Sequence, residues 1–203
     1  MRATPAQLRN FGLLTAVLLP VIALAPSVRA QSAVTRDAIV SVLDHFDTAP
    51  EIDIPALRQQ VLERSRSRSR NEPPPQKRPP IAPELAKLSS FNVDIDFDVD
   101  TPIVRPASYE TLGRLADAMV HSSLLPYSFL IVGHVNANGK RESNVVLSQR
   151  RADAIRDILV NTFKISAKRL QSIGLGEEQL LDPAHPTAAV NDQVQIMTVA
   201  KAL

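Results

Sequence analysis

From Phe91 onward the chain falls into regular hydrophobic periods. Phe91, Val93, Ile95 and Phe97 alternate strictly with Asn92, Asp94, Asp96 and Asp98, the two-residue period of a strand with one buried face. Pro106 then opens a helical stretch reaching Val120, with Tyr109, Leu112, Leu115, Ala116 and Met119 at helical spacing; a proline in the first turn costs no hydrogen bond. Tyr127 to Val132 is mostly apolar and ends at Gly133, as expected of a strand covered on both faces. A second helix is predicted from about Glu142 to Thr162, with Ser148, Ala152, Ile155 and Leu159 on one stripe and Arg150, Asp153, Arg156 and Asp157 elsewhere. Leu170 to Ile173 reads as a short strand before Gly174 and Gly176, and Val194 and Ile196, alternating with Gln193, Gln195 and Met197, as the last strand. The order is βαβαββ. It predicts an α/β (α+β) sandwich of a mixed sheet and helices, its short strand-helix-strand units implying right-handed crossovers.

Upstream the apolar pattern is thinner. Two short helices are expected, Thr35 to Phe46 and Asp53 to Arg64, the second led by an aspartate N-cap with Ile54, Leu57, Val61 and Leu62 behind it. An arginine-serine run from Arg64 to Arg70 and a proline-rich run from Pro73 to Pro80 follow. Like charges repel and prolines withhold backbone donors, so this stretch is expected to be a solvated linker. Its proline half should be extended at about 3 Å per residue, a semi-rigid spacer. At the start, Arg2 and Arg9 precede an apolar run from Phe11 to Leu24, and Val28, Arg29 and Ala30 form a small-residue cleavage pattern. That is a secretory signal peptide, expected to be removed after Ala30. The organisation is then a signal peptide at 1–30, a helical extension at 31–70, a proline-rich linker at 71–90 and a domain at 91–203. Pro20 interrupts the leader, and no stretch of about 20 uninterrupted apolar residues suggests a transmembrane segment after cleavage.

Composition narrows the possible partners. The chain has no cysteine, so neither a disulfide framework nor the thiol of a lipid-anchored lipoprotein is expected. Three of the 23 basic residues lie in the leader, leaving 20 against 21 acidic ones. A nearly neutral exported chain lacks the charge that would displace counterions from a nucleic acid, so no nucleic-acid partner is expected. The Arg64–Arg70 run reads as a basic tether, with contact to anionic envelope polymers as its alternative.

Nothing points to an enzyme. His45, His121 and His185 lie far apart, without metal-ligand spacing. Asp94, Asp96, Asp98 and Asp100 alternate with apolar residues and lack the glycine of a calcium loop. No Gly-x-Ser-x-Gly occurs, and Gly174 and Gly176 are too few to cradle a phosphate. A wall hydrolase is disfavoured because no acid-base pair has a plausible setting.

Three landmarks, in order, carry a resemblance: Gly133 to Gly139, reading Gly-His-Val-Asn-Ala-Asn-Gly; Asn144 with Leu147 to Ala152, reading Leu-Ser-Gln-Arg-Arg-Ala; and Leu170 with Gly174-Leu-Gly176. Together they make residues 91–203 resemble the OmpA-like domain, whose pattern is Gly-His-Thr-Asp, a glycine, an asparagine, Leu-Ser-x-x-Arg-Ala and Gly-x-Gly. The resemblance implies non-covalent binding of the diaminopimelate residue of peptidoglycan, an acid facing its ammonium and an arginine fork facing its carboxylate. The arginine maps to Arg151, and Asn144, Ser148 and Arg151 share one helix face. The implied contacts are Asn136, Asn144 and Arg151, with His134 and Ser148 secondary.

Two positions depart from the pattern. Asn136 stands where the family has its acid, which weakens the ammonium contact by about 1 kcal/mol, or roughly five- to tenfold. Asn191, Asp192, Gln193 and Val194 stand where it has Asn-Arg-Arg-Val, and Asp192 would repel a carboxylate held there. Arg151 also reads as a surface arginine paired with Glu142, Asp153 or Asp157, and His134 as a structural hydrogen-bonder. The resemblance therefore implies a periplasmic peptidoglycan binder that needs no cofactor and sits near the outer membrane or cell wall. The alternative is an envelope adaptor whose domain has lost wall binding and holds a protein partner.

Overall fold

The computed structural model describes residues 35–45, 52–67 and 72–201; the expected signal peptide lies outside them. Four strands, β1 (Ser90–Val93), β2 (Tyr127–His134), β3 (Leu170–Gly176) and β4 (Val194–Lys201), form one sheet in the order β1-β4-β2-β3. β2 and β3 are parallel, joined through helix α4 (Arg141–Asn161), while β4 enters between β1 and β2 and runs antiparallel to both. The mixed sheet expected from the βαβαββ order is present.

The pleat of β2 decides the layering. Phe129 and Ile131 point into one core, with Leu112, Leu115 and Met119 of helix α3 (Tyr109–Met119) and Ile155 and Leu159 of α4. Leu130 and Val132 point into a second core on the opposite face, with Ile173, Leu175 and Met197. Both faces of β2 are therefore buried, as its continuous apolar run requires.

The expected second helix of the extension, joined by part of the stretch expected to be a linker, is what covers the second face. Helix α2 (Ile54–Arg66) buries Ile54, Leu57 and Val61 there, and Ala82 and Leu85 of the proline-rich stretch join them. Three aliphatic side chains removed from water contribute roughly 5–9 kcal/mol before the cost of ordering, which is why a thin apolar stripe suffices to dock the helix. Helix α1 (Arg36–Leu43) packs Ile39 and Leu43 into the first core. Contrary to expectation, the proline stretch is not an extended spacer. It makes two short 3-10 turns, Pro75–Lys77 and Pro83–Lys87, each opened by proline. The extension and the sheet belong to one compact unit. The predicted aspartate cap is in place, Asp53 Oδ1 accepting from Ala56 N, and Thr35 caps α1 in the same way, its Oγ1 accepting from Ala38 N.

Two further expectations change. The alternating run from Phe91 stays in the sheet only to Val93; beyond it the chain turns away, and Phe97 bridges Val104. Asp98 N then donates to Ile103 O and Arg105 N to Asp96 O, so the second half of the run belongs to a small hairpin. Conversely, β3 continues through Gly174 and Gly176. A Cβ on Gly174 would stand 2.1 Å from Gln149 N, so this glycine lets α4 lie directly on the strand. No helix among the described residues is long and apolar enough to cross a membrane.

Candidate functional site

β2 delivers the chain to His134, and the loop Val135–Lys140 turns it into α4, with Gly139 at φ +119° where a side chain would be strained. α4 then places Asn144, Ser148 and Arg151 on its buried face. The structure brings Asn136 and Asn144 together: Asn144 Nδ2 donates to the Asn136 carbonyl at 3.2 Å and to Glu177 Oε2 at 2.8 Å. Both acceptors are obligate, which fixes the amide and leaves Asn144 Oδ1 as its acceptor, on the side of Gly139.

Arg151 lies two turns further along α4 and is 7% exposed. Its Nε donates to the Thr101 carbonyl at 3.1 Å, its Nη1 meets Asp192 Oδ1 at 2.5 Å, and its guanidinium lies 4.7 Å from the Phe97 ring centroid. None of the partners expected for it is used. Glu142 pairs with Arg66, Asp153 accepts from Gln149 and Ser172, and Asp157 pairs with Arg156. Asp192, expected to repel a ligand carboxylate, instead satisfies the arginine itself.

The secondary residues are enclosed. Ser148 is fully buried; its Oγ donates to Val145 O and accepts from Gly176 N, tying α4 to β3. His134 is 2% exposed, with Nδ1 2.9 Å from Gln179 O and Nε2 3.1 Å from Gln195 Oε1. Burial lowers its pKa more than these hydrogen bonds raise it, so the ring is held toward its neutral form.

Two clefts flank these residues. One of about 580 Å3 is lined by Asp100, Pro102, Asn138, Gly139, Asn144 and Arg150. The other, of about 510 Å3, is lined by Asp94, Phe97, Arg151, Val190, Asp192 and Gln193. The segment that walls the first cleft, Asp100–Pro102, also supplies the carbonyl that braces Arg151.

The sequence reading missed the buried ionic cluster behind Asn144. Glu177 Oε1 accepts from Arg78 Nη1 at 2.8 Å. Glu178, fully buried, holds Arg141 through two nitrogens and Arg64 at 3.2 Å, and Arg141 also meets Glu72 at 2.5 Å. Burial works against the Arg141 charge, but Glu178 and Glu72 outweigh it and its pKa is raised. Three cations and three anions thus balance, with Arg64, Glu72 and Arg78 from the extension. The adjacent acids after Gly176, at the end of a buried strand, were the available signal.

A mixed sheet with this loop-helix arrangement at one end defines an OmpA-like α/β domain. Residues 96–193, just under half of the chain, match the OmpA family. The chain is 33% identical over 122 residues to outer membrane porin F of Pseudomonas aeruginosa, covering 59% of this chain and 34% of that protein. It is 35% identical over 85 residues to the peptidoglycan-associated lipoprotein of Brucella melitensis, covering 42% of this chain and 49% of that one. The chain therefore spans about a third to a half of the relatives it matches. Among solved structures, the OmpA-like domain of FopA1 from Francisella tularensis aligns with a TM-score of 0.46 at 16% identity, over 56% of this chain and 77% of that one.

Proposed function

We propose that the OmpA-family domain binds peptidoglycan non-covalently in the cell envelope, through Asn136, Asn144 and Arg151, and performs no chemistry of its own. The observation that carries this reading is Arg151. A guanidinium nine-tenths buried at the wall of an open cleft, braced by Thr101 and Phe97, is already oriented to meet a planar carboxylate. Asn144, fixed with its Oδ1 outward, and Asn136 beside it suit an ammonium donor. The likeness to a protein named for its association with peptidoglycan supports the same ligand. Diaminopimelate carries both groups, and the periplasm, near the outer membrane or wall, is where the domain meets it.

The second reading, an envelope adaptor that holds a protein partner, is favoured by one observation: Asp192 occupies Arg151. Co-sedimentation of the full chain with insoluble diaminopimelate-type peptidoglycan separates the two. Wall binding predicts that the native chain sediments, that Arg151→Ala stays in solution, and that Asn136→Asp binds roughly five- to tenfold more tightly by restoring a charged acceptor. A native chain that stays in the supernatant while Asn136→Asp sediments assigns the domain to the adaptor role.

A further inference from the structure

The extension reaches the candidate site through a continuous chain of contacts. Arg78 Nη1 binds Glu177 Oε1 at 2.8 Å, with the two side chains only 12% and 5% exposed. The other oxygen of the same carboxylate accepts from Asn144 Nδ2 at 2.8 Å, and Asn144 Nδ2 also reaches the Asn136 carbonyl. Arg78 is fixed from behind as well, since its Nε donates to Pro73 O and the neighbouring Ala82 N donates to Gln179 Oε1. We propose that Arg78 is a positioning residue of the wall-contacting site, acting through Glu177 to hold the Asn144 amide with its oxygen toward the ligand, so that extension and domain bind as one unit. This rests on the wall-binding reading above.

The physical reason lies in the carboxylate. A buried carboxylate stays in place only when its charge is matched. With Arg78 present, Glu177 offers Asn144 a fixed acceptor, and the amide has a single orientation. Without Arg78, the carboxylate keeps one neutral amide partner in a desolvated position and turns toward water, releasing Asn144. The amide then keeps only the 3.2 Å bond to the Asn136 carbonyl, and whenever it turns, a donor faces the ammonium and the contact is lost. Arg78 lies 99 residues from Glu177 in sequence, and outside the part of the chain that matches the family.

The test is a double-mutant cycle in the full chain: native, Arg78→Met, Asn144→Ala, the double variant and Arg78→Lys, each checked for native thermal unfolding. Wall affinity is read by co-sedimentation, and the Asn144 side-chain amide by NMR without wall. The proposal expects Arg78→Met and Asn144→Ala each to weaken wall binding roughly five- to tenfold, the double variant to lose no more than either alone, and Arg78→Lys to recover most of the affinity. It also expects the Asn144 amide protons to move in Arg78→Met. Affinity losses that multiply, or native affinity in Arg78→Met beside a weakened Asn144→Ala, overturn the positioning role while leaving wall binding intact. A native chain that fails to sediment overturns the wall reading, and unchanged Asn144 amide signals in Arg78→Met overturn the coupling independently of any ligand.

Discussion

Replacing Gly174 by alanine sets a methyl group against the backbone of α4. Its Cβ would stand 2.1 Å from Gln149 N, 2.5 Å from Gln149 Cα and 2.6 Å from Ser148 C, where ordinary contact begins at 3.4 Å. The helix must retreat by roughly 1.3 Å, and no rotamer change relieves a clash with main-chain atoms. Retreat opens the seam closed by Gly174 N to Gln149 Oε1 at 2.8 Å and by Gly176 N to Ser148 Oγ at 2.9 Å. Overpacking costs about 1–3 kcal/mol, and a main-chain obstacle puts this case at the upper end. At about 3 kcal/mol the melting temperature falls by roughly 6–12 °C for a folded unit of this size. Gly113→Ala is the matched control. It lies inside α3 and its Cβ would meet nothing nearer than Phe163 Cε1 at 3.6 Å, so the gain in helix propensity stabilises by up to about 1 kcal/mol. Thermal unfolding followed by circular dichroism reads both signs. A native melting temperature in Gly174→Ala, or a destabilised Gly113→Ala, refutes the reasoning.

Asp192→Asn removes the charge that occupies Arg151; Asp192 is 39% exposed, so stability falls by no more than about 1 kcal/mol while wall sedimentation rises several-fold. Weaker sedimentation of that variant sinks the idea that Asp192 competes with the ligand. His134 is harder to protonate in the folded chain than in the unfolded one, because burial lowers its pKa from 6.5. Its contribution is therefore complete above about pH 6.5 and declines as the pH falls below that value, by at most about 1.4 kcal/mol per pH unit. His134→Gln flattens that slope in urea unfolding across the range, and an unaltered slope rejects the assignment. Glu178→Gln leaves Arg64 and Arg141 short of a buried counter-charge and costs about 3 kcal/mol in urea unfolding. Because the group is enclosed, added salt changes that cost little, and a loss abolished by salt contradicts the burial.

The elements legible in sequence are those whose signal is local. The period of α3, the apolar run of β2 and the aspartate cap of α2 each follow from residues within a few positions of one another. Asn136 and Asn144, eight residues apart on one loop-helix turn, were legible as neighbours for the same reason. The run from Phe91 to Asp98 shows the limit of such reasoning. Its alternation persists to Phe97, but Phe97 serves a hairpin and the face of a guanidinium rather than the sheet. The extension shows the limit more sharply. Arginines and prolines in sequence look like a tether, because the acids that neutralise them, Glu177 and Glu178, stand about a hundred residues away. The pairing of Arg151 with Asp192, 41 residues apart, was hidden in the same way.

The two departures from the family pattern act on one quantity, the net charge offered to a ligand. Asn136 leaves the loop without a negative charge, and Asp192 cancels Arg151. What remains is geometry: an arginine braced by a carbonyl and an aromatic ring, and an amide fixed by Glu177. Groups held in place before the ligand arrives spare it the cost of ordering them, so hydrogen bonds can carry affinity where charges do not. Such binding responds weakly to ionic strength. A contact made instead by the charges of the Arg64–Arg70 run is electrostatic at long range and is screened within about 8 Å at physiological salt. Sedimentation that survives added salt and disappears in Arg151→Ala therefore belongs to the domain's own site, and sedimentation that salt abolishes in native and variant alike belongs to the basic run.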